Sequence, residues 1–468
     1  MHSEELPGCV PRHTAGASPK PFWLTGESLR FQTEGVVLHT CGVRVVPLLE
    51  THRLRETFMK KHIAIIGGGI TGVTSAYALI QQGFEVTLIE KNRYPGMETS
   101  YANGGQLSAS NAEVWTHPST ILKGLKWMLK SDAPLLMNPT PTWHKLSWMA
   151  EFIAAIPKYK DNTIATTELA IASREHHFAW AKAEGIEFDH KREGILHIYR
   201  DKKGFDHAGE VSKLLAQGGL PRRAVTPDEM KTIEPTLHGR YYGGYFTESD
   251  STGDIHKFTY GLAKACERWG VKILNEHEVL SVAANGRSAF VQVKHAGDTD
   301  SLTFDGLVIC AGVHGRRLAA QLGDRLNIYP VKGYSITVNL PDAASQAAAP
   351  QVSLLDDETK LVTSRLGDDR FRVAGTAEFN GINLDIRADR IQPLIHWVNQ
   401  CFPDIDTRKV VPWAGLRPMM PNMLPRVGAG KKANVFYNTG HGHLGWTLSA
   451  ITAHQLAAHV VQSMNGQA

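Results

Sequence analysis

A mixed α/β fold around a buried parallel sheet is predicted by three observations. The run HIAIIG (62–67) is short, β-branched and apolar on both faces, as a strand inside a parallel sheet must be. It passes directly into a glycine-rich turn, and then into Val73, Ala76, Tyr77 and Ile80 at helical spacing until Gly83. A second apolar run, EVTLIE, follows and closes on Glu90. The composition suits a chain that buries a core: 468 residues, 42% hydrophobic, 21% charged, with 43 Gly. Five Cys cannot staple a chain of this length, and a net charge of +4 without a basic block leaves no footprint for nucleic acid. No apolar run reaches the roughly 18 residues of a membrane span.

Each part of the first unit has a physical task. Gly67, Gly69 and Gly72 form GxGxxG between strand and helix: Gly67 permits the tight turn, Gly69 lets a pyrophosphate approach the backbone, and Gly72 allows close helix–strand packing. The helix N-terminus faces the phosphates. Glu90, 18 residues beyond Gly72, is placed to accept hydrogen bonds from both hydroxyls of an adenosine ribose. Ile66, Gly68, Ile70, Thr71 and Lys91 complete the expected contact set of this Rossmann-type unit.

The unit alone does not separate NAD from FAD; three later features favour FAD. ETSYANGGQLS (98–108) supplies small and amide residues, Ser100, Asn103, Gly104, Gly105 and Gln106 with Leu107, for a loop along an extended cofactor. A helical stretch from Phe258 to Trp269 leads into VKILNEHEVLSV, which carries Val279, and the later strand LVICAG ends in Ala311 and Gly312. The third is the C-terminal run NTGHGHLGWTLSAITAHQLAAHVV. There a glycine-rich loop (Gly442, His443, Leu444, Gly445, Trp446) feeds a helix that Thr447 or Ser449 is expected to cap. Its N-terminus would face the negative charge of a reduced flavin.

Other segments read more plainly. Residues 1–58 hold six Lys/Arg and six Asp/Glu, so the net charge belongs to the remainder. Without a clean apolar run they are not expected to be a secretory signal, and they are expected to be a disordered or non-native extension ahead of Met59. Cys266, Cys310 and Cys401 are widely spaced, as suits free thiols in a reducing cytoplasm. The HxH of His441 and His443 has no acid or thiolate beside it and is read as a backbone-contact motif, with no metal site expected. Asp250 and Asp254 are read as a solvated strand-to-helix turn with Asp254 as N-cap. ILKGLKWMLK (121–130) puts apolar residues on one helical face with Lys123, Lys126 and Lys130 away from it. With WHKLSWMAEFIAAIPKYK (143–160) after it, two readings stay open: an amphipathic core helix, or a face on an anionic bilayer.

From Met59 onward the sequence resembles the D-amino-acid dehydrogenase small-subunit family, within the glycine oxidase-like group of FAD-dependent amine and amino-acid oxidoreductases. The segments that carry the resemblance are GGGITGVTSAYAL, METSYANGGQLSAS, LKWMLKSDAPL, YPVKGYSITV, WAGLRPMMP and NTGHGHLGWTLS. It implies an FAD-binding domain of residues 59–112, 246–330 and 408–468, interleaved with a substrate domain of residues 113–245 and 331–407. In the latter, YSITVNL, KLVTSR and RFRVAG would form an antiparallel sheet over the flavin. It further implies Arg417, in GLRP, as the clamp for a substrate carboxylate, with Tyr334 and His443 on the pocket wall near the flavin ring. The implied reaction is oxidative deamination of D-amino acids to 2-oxo acids and ammonia, with electrons passed to quinone at the cytoplasmic face of the inner membrane. Two departures, Met420, Asn422 and Met423 after the arginine and His443 where many relatives have Thr, would both lie at the substrate edge. They keep a secondary-amine dehydrogenase or oxidase (D-proline, hydroxyproline, sarcosine) open, beside a non-catalytic flavoprotein subunit.

Overall fold

The computed structural model describes residues 61–118 and 134–465. The extension expected over 1–58 and the ILKGLKWMLK face lie outside the described residues. A six-stranded sheet runs in the order Arg426–Ala429, Val435–Thr439, Gly306–Ile309, His62–Ile66, Glu85–Ile89, Lys272–Leu274. Neighbours are parallel throughout, except that Arg426–Ala429 lies antiparallel on the edge. The first strand is buried on both faces, which is why its sequence lacks polar alternation. Ile63 and Ile65 pack with Val73 and Leu79 of the helix Ile70–Gln81 and with Leu456 and Val460 of the helix Gly445–Asn465. Ala64 and Ile66 face the other way, into a cluster with Val291 and Val293 of an antiparallel three-stranded sheet. Truncating Ile65 to Ala would therefore cost about 2–5 kcal/mol.

The second large sheet is mixed and contains the three strands read from YSITVNL, KLVTSR and RFRVAG. The strands are Tyr329–Asn339, Leu361–Leu366 and Arg370–Phe379, which take in all of the three runs but Leu340 and Lys360, and they pair antiparallel. The strand Val410–Met419 closes one edge against Tyr329–Asn339, placing Arg417 opposite Val331. The helix Ala388–Cys401 buries Leu394, Trp397 and Val398 against Ile336 and Val338.

Three local expectations need adjustment. The helix expected from Phe258 to Trp269 is Ile255–Arg268, with Asp254 as its N-cap accepting from the His256 and Lys257 amides. The turn is not solvated: Asp250 and Asp254 are 1% and 3% exposed. Asp250 instead gathers the Ser108 hydroxyl and the Ala109 and Ser110 amides, and Asp254 pairs with Arg370. The last helix begins at Gly445, because a 3-10 turn over Gly442–Leu444 starts the winding early. Thr447 and Ser449 thus sit inside the helix, where the Ser449 hydroxyl donates to the Trp446 carbonyl.

Candidate active site

A cavity of about 700 Å³ has the glycine turn and Glu90 in its wall, together with Arg417 and the C-terminal glycine loop. The turn is built as its chemistry requires. Gly67 has φ +105, and a Cβ there would stand 2.7 Å from the Cys310 carbonyl oxygen. Gly72 is tighter, since its Cβ would fall 1.8 Å from the Gly67 oxygen. Gly69 differs: a Cβ on it would meet nothing nearer than the Ser100 hydroxyl at 3.6 Å and would occupy the cavity. Ser100 fixes the turn by accepting from the Ile70 amide at 3.0 Å.

Glu90 is 6% exposed, and its carboxylate already accepts from the Gly68 amide (2.6 Å) and from the Asn92 amide and side chain (2.8 and 2.6 Å). Burial nevertheless pushes its pKa up. Lys91 beside it pairs with Glu98 at 2.5 Å. Of the residues read as cofactor contacts, Ile66, Gly67, Gly69, Ile70, Thr71, Glu90, Lys91, Ser100, Asn103, Gly104, Gly105, Gln106, Val279, Ala311, Gly312, Gly442, His443, Leu444, Gly445 and Trp446 line the cavity. Gly68, Gly72 and Leu107 stand behind its wall: Gly68 holds Glu90, Gly72 makes room for Gly67, and Leu107 lies in the core with Ile70 and Val73.

The wall fits a dinucleotide by two observations. Gly69 and Gly312 both face it with no side chain, and an added Cβ at Gly312 meets nothing within 4 Å. The carbonyl oxygen of the Gln106 side chain, also on this wall, is buried with no partner among the described residues. FAD would be held by the glycine turn and the first helix's N-terminus at one end, with Glu90 toward a ribose. The Gly442–Trp446 segment and the N-terminus of the last helix, Gly445–Asn465, would hold it at the other.

Arg417 is the electrostatic feature of the cavity. Its Nη1 donates to the Thr376 carbonyl at 2.9 Å, and among the described residues it has no ion pair. Burial without a counter-charge pushes its pKa down to about 10, so at neutral pH it remains a cation. Tyr334 also lines the cavity, but its hydroxyl donates to Glu378 at 2.7 Å, and burial with that carboxylate pushes the phenol up. His443 stacks on Trp115 (ring centroids 5.0 Å apart) and its Nε2 donates to the Asn111 carbonyl at 3.1 Å. Burial pushes its pKa down to about 4, so it is neutral at physiological pH.

Of the two departures, only His443 reaches the cavity. Met420, Asn422 and Met423 do not line it: Met420 packs toward Gly440, Met423 lies in a core cluster with Tyr159 and Met419, and the Asn422 carbonyl accepts from Asn162. Sequence reasoning missed Asn111, Trp115, Arg317, Gly333 and Thr376, all on the wall. Asn111 and Trp115 continue the small-residue run 98–108 that pointed to a cofactor loop. Thr376 leaves no sequence signal.

Residues 62–459 match the family model described as DAO, FAD dependent oxidoreductase. The chain is 60% identical over 402 residues to D-amino acid dehydrogenase 3 of Mesorhizobium japonicum, covering 86% of this chain and 97% of that one. It is 40% identical over 403 residues to the D-amino acid dehydrogenase of Dechloromonas aromatica, covering 84% and 96%. Glycine oxidase from Geobacillus kaustophilus superposes with a TM-score of 0.66 at 21% identity, over 86% of this chain and 95% of that one, a likeness of fold. Matched from its first parallel strand almost to the end of its last helix, the chain belongs to the DAO family of FAD-dependent oxidoreductases.

Proposed function

We propose that this protein is a D-amino-acid dehydrogenase that converts D-amino acids to 2-oxo acids and ammonia. The observation that carries the reading is Arg417, a cation with no counter-ion among the described residues, facing the cavity that also holds the dinucleotide turn. A planar guanidinium takes a carboxylate through two parallel N–H bonds, and the Nη1–Thr376 bond leaves the Nε and Nη2 edge for that purpose. The D-configuration is supported by the relatives at 60% and 40% identity.

Bound FAD supplies the acceptor for the hydride lost from the α-carbon. The chain's own residues bind and orient. Arg417 fixes the carboxylate, which limits where the α-C–H can lie. Neutral His443 and Trp115 close the wall without adding a charge that would compete for it. The side chains present no obligatory base: an amino acid whose amine is neutral loses hydride to leave the iminium directly, and water then hydrolyses it to the 2-oxo acid and ammonium outside the site. Tyr334 serves as wall, its proton committed to Glu378.

Among the described residues no helix is long and apolar enough to cross a membrane. Peripheral contact and delivery of electrons to quinone are supported by exposed Trp143, Leu146 and Ile153 on one helix, and by exposed Ile382 and Leu384, which also line the cavity. Flotation with anionic vesicles tests the contact, and a protein that stays in the dense fraction at low salt removes it. The activity is tested by dye reduction with D-amino acids, their L-enantiomers and cyclic secondary amines. D-selective turnover is expected, and Arg417→Ala raises KM at least 100-fold, about 2.7 kcal/mol, while the flavin spectrum persists. Turnover confined to the cyclic amines, or an unaltered KM, refutes the reading.

A further inference from the structure

The Arg417 guanidinium owes its direction to two neighbours that have no charge. Gly333, on the strand Tyr329–Asn339, lies under it: a Cβ there would stand 2.2 Å from Nη1 and 2.5 Å from both Cζ and Nη2. The guanidinium therefore rests on bare backbone. The second neighbour is Thr376. Between Lys332↔Glu378 and Tyr334↔Gly375 the register shifts, so the strand Arg370–Phe379 carries one extra residue opposite Gly333. Within that bulge Thr376 has φ +58, a conformation a β-branched residue adopts only when its surroundings impose it. The twist turns its carbonyl onto Arg417 Nη1 at 2.9 Å, while its own hydroxyl is buried without a partner among the described residues. Gly333, Thr376 and Arg417 all line the cavity.

Resting on the reading of Arg417 as the carboxylate anchor, we infer that Gly333 and the Thr376 bulge are positioning elements that hold the guanidinium edge-on to the substrate carboxylate. Gly333 supplies the space, and the bulge supplies the acceptor that ties down one nitrogen. A side chain at 333 displaces the guanidinium and spares the fold, because the atoms it meets are the far end of a flexible side chain.

The test is a double-mutant cycle on the flavin-loaded enzyme with Gly333→Ala, Arg417→Ala and the pair. The readouts are KM and kcat for the best D-amino acid, and the Kd of pivalate, a carboxylate with no α-hydrogen, from the rise in unfolding midpoint with concentration. Gly333→Ala alone is expected to keep the flavin absorbance and to raise KM and the pivalate Kd at least tenfold. In the Arg417→Ala background the same change moves both less than twofold, since the obstructed group is gone. A Gly333→Ala penalty that recurs undiminished without Arg417, or a KM within threefold of the parent, overturns the inference and leaves the anchor reading intact. If Arg417→Ala itself leaves KM and Kd unaltered, the anchor reading falls. If Gly333→Ala does not yield folded protein, recovery of folding in the double variant supports the inference, and failure of both overturns it.

Discussion

Gly69 and Gly72 belong to one motif yet are glycines for different reasons, and a pair of alanine substitutions separates them. At Gly72 the new Cβ would lie 1.8 Å from the Gly67 carbonyl oxygen, a backbone atom that cannot swing away. Relaxed C···O contacts sit near 3.3 Å, so the helix Ile70–Gln81 would have to retreat by about 1.5 Å from the turn. Overpacking against fixed backbone costs about 3 kcal/mol. A retreat of that size also pulls the helix N-terminal amides off the phosphates, and hydrogen bonds to a charged group are worth about 1.5–3 kcal/mol each, so losing two costs roughly 100-fold or more in affinity. Gly69 is extended at φ −70, ψ 177, and its nearest neighbour would be 3.6 Å away. Alanine there costs the fold only about 0.5–1 kcal/mol of capping, but its methyl fills cavity space. The assay has two arms: thermal unfolding of cofactor-free protein, and FAD titration followed by flavin fluorescence. Gly72→Ala should lose both stability and at least 100-fold in FAD affinity, and Gly69→Ala should lose affinity with its midpoint within about 2 °C of the parent. Equal midpoints for the Gly72→Ala and parent proteins, or parental FAD affinity in Gly69→Ala, would refute the reasoning.

Three further outcomes follow from the buried polar groups. His177 and His441 are 0% and 2% exposed, and burial lowers their pKa values from 6.5 to about 4 and about 3. The unfolded chain takes up these protons first, so stability is complete above pH 6.5 and falls as pH drops toward the folded values, by about 1.4 kcal/mol per group per pH unit. A midpoint that does not move between pH 7 and pH 5.5 contradicts this, and His441→Gln should reduce the slope. Lys332→Met takes from Glu378 its buried cation, 0% exposed at 3.3 Å, and leaves it Arg387 at 3.9 Å and the Tyr334 hydroxyl, at a cost of about 3 kcal/mol; adding Glu378→Gln should recover more than half in denaturant titration. Asp250→Asn replaces a carboxylate that gathers three donors from residues 108–110 and pairs with Arg174 at 3.4 Å by a group that itself donates, costing about 2–3 kcal/mol, and wild-type stability would show the 108–110 turn to be self-supporting.

Much of the cofactor end was legible because each requirement there is local. The turn needs Gly67, the helix begins where the glycines end, and the carboxylate follows at the end of the next strand, all within 29 residues of His62. The C-terminal helix was legible for the same reason, although its start was misplaced because glycines tolerate a 3-10 turn as readily as a loop. What stayed hidden depends on pairings between distant segments. That Asp250 would be buried follows from Ser108–Ser110, some 140 residues away, folding around it. The space at Gly333 exists for a guanidinium 84 positions later, and the bulge at Thr376 is a property of strand register, which a residue's own sequence neighbours do not encode.

The order of the parallel sheet bears on how the protein is made. Its second strand inward from the edge, Val435–Thr439, pairs with Gly306–Ile309, which pairs in turn with His62–Ile66. During synthesis the glycine turn leaves the ribosome early, but its sheet lacks a flank until almost the whole chain has followed. Contacts this distant in sequence form slowly, and an unpaired apolar strand is open to misassociation meanwhile. A chain that ends before Val435 lacks both this flank and the Gly442–Trp446 wall of the cavity, and should not retain the flavin.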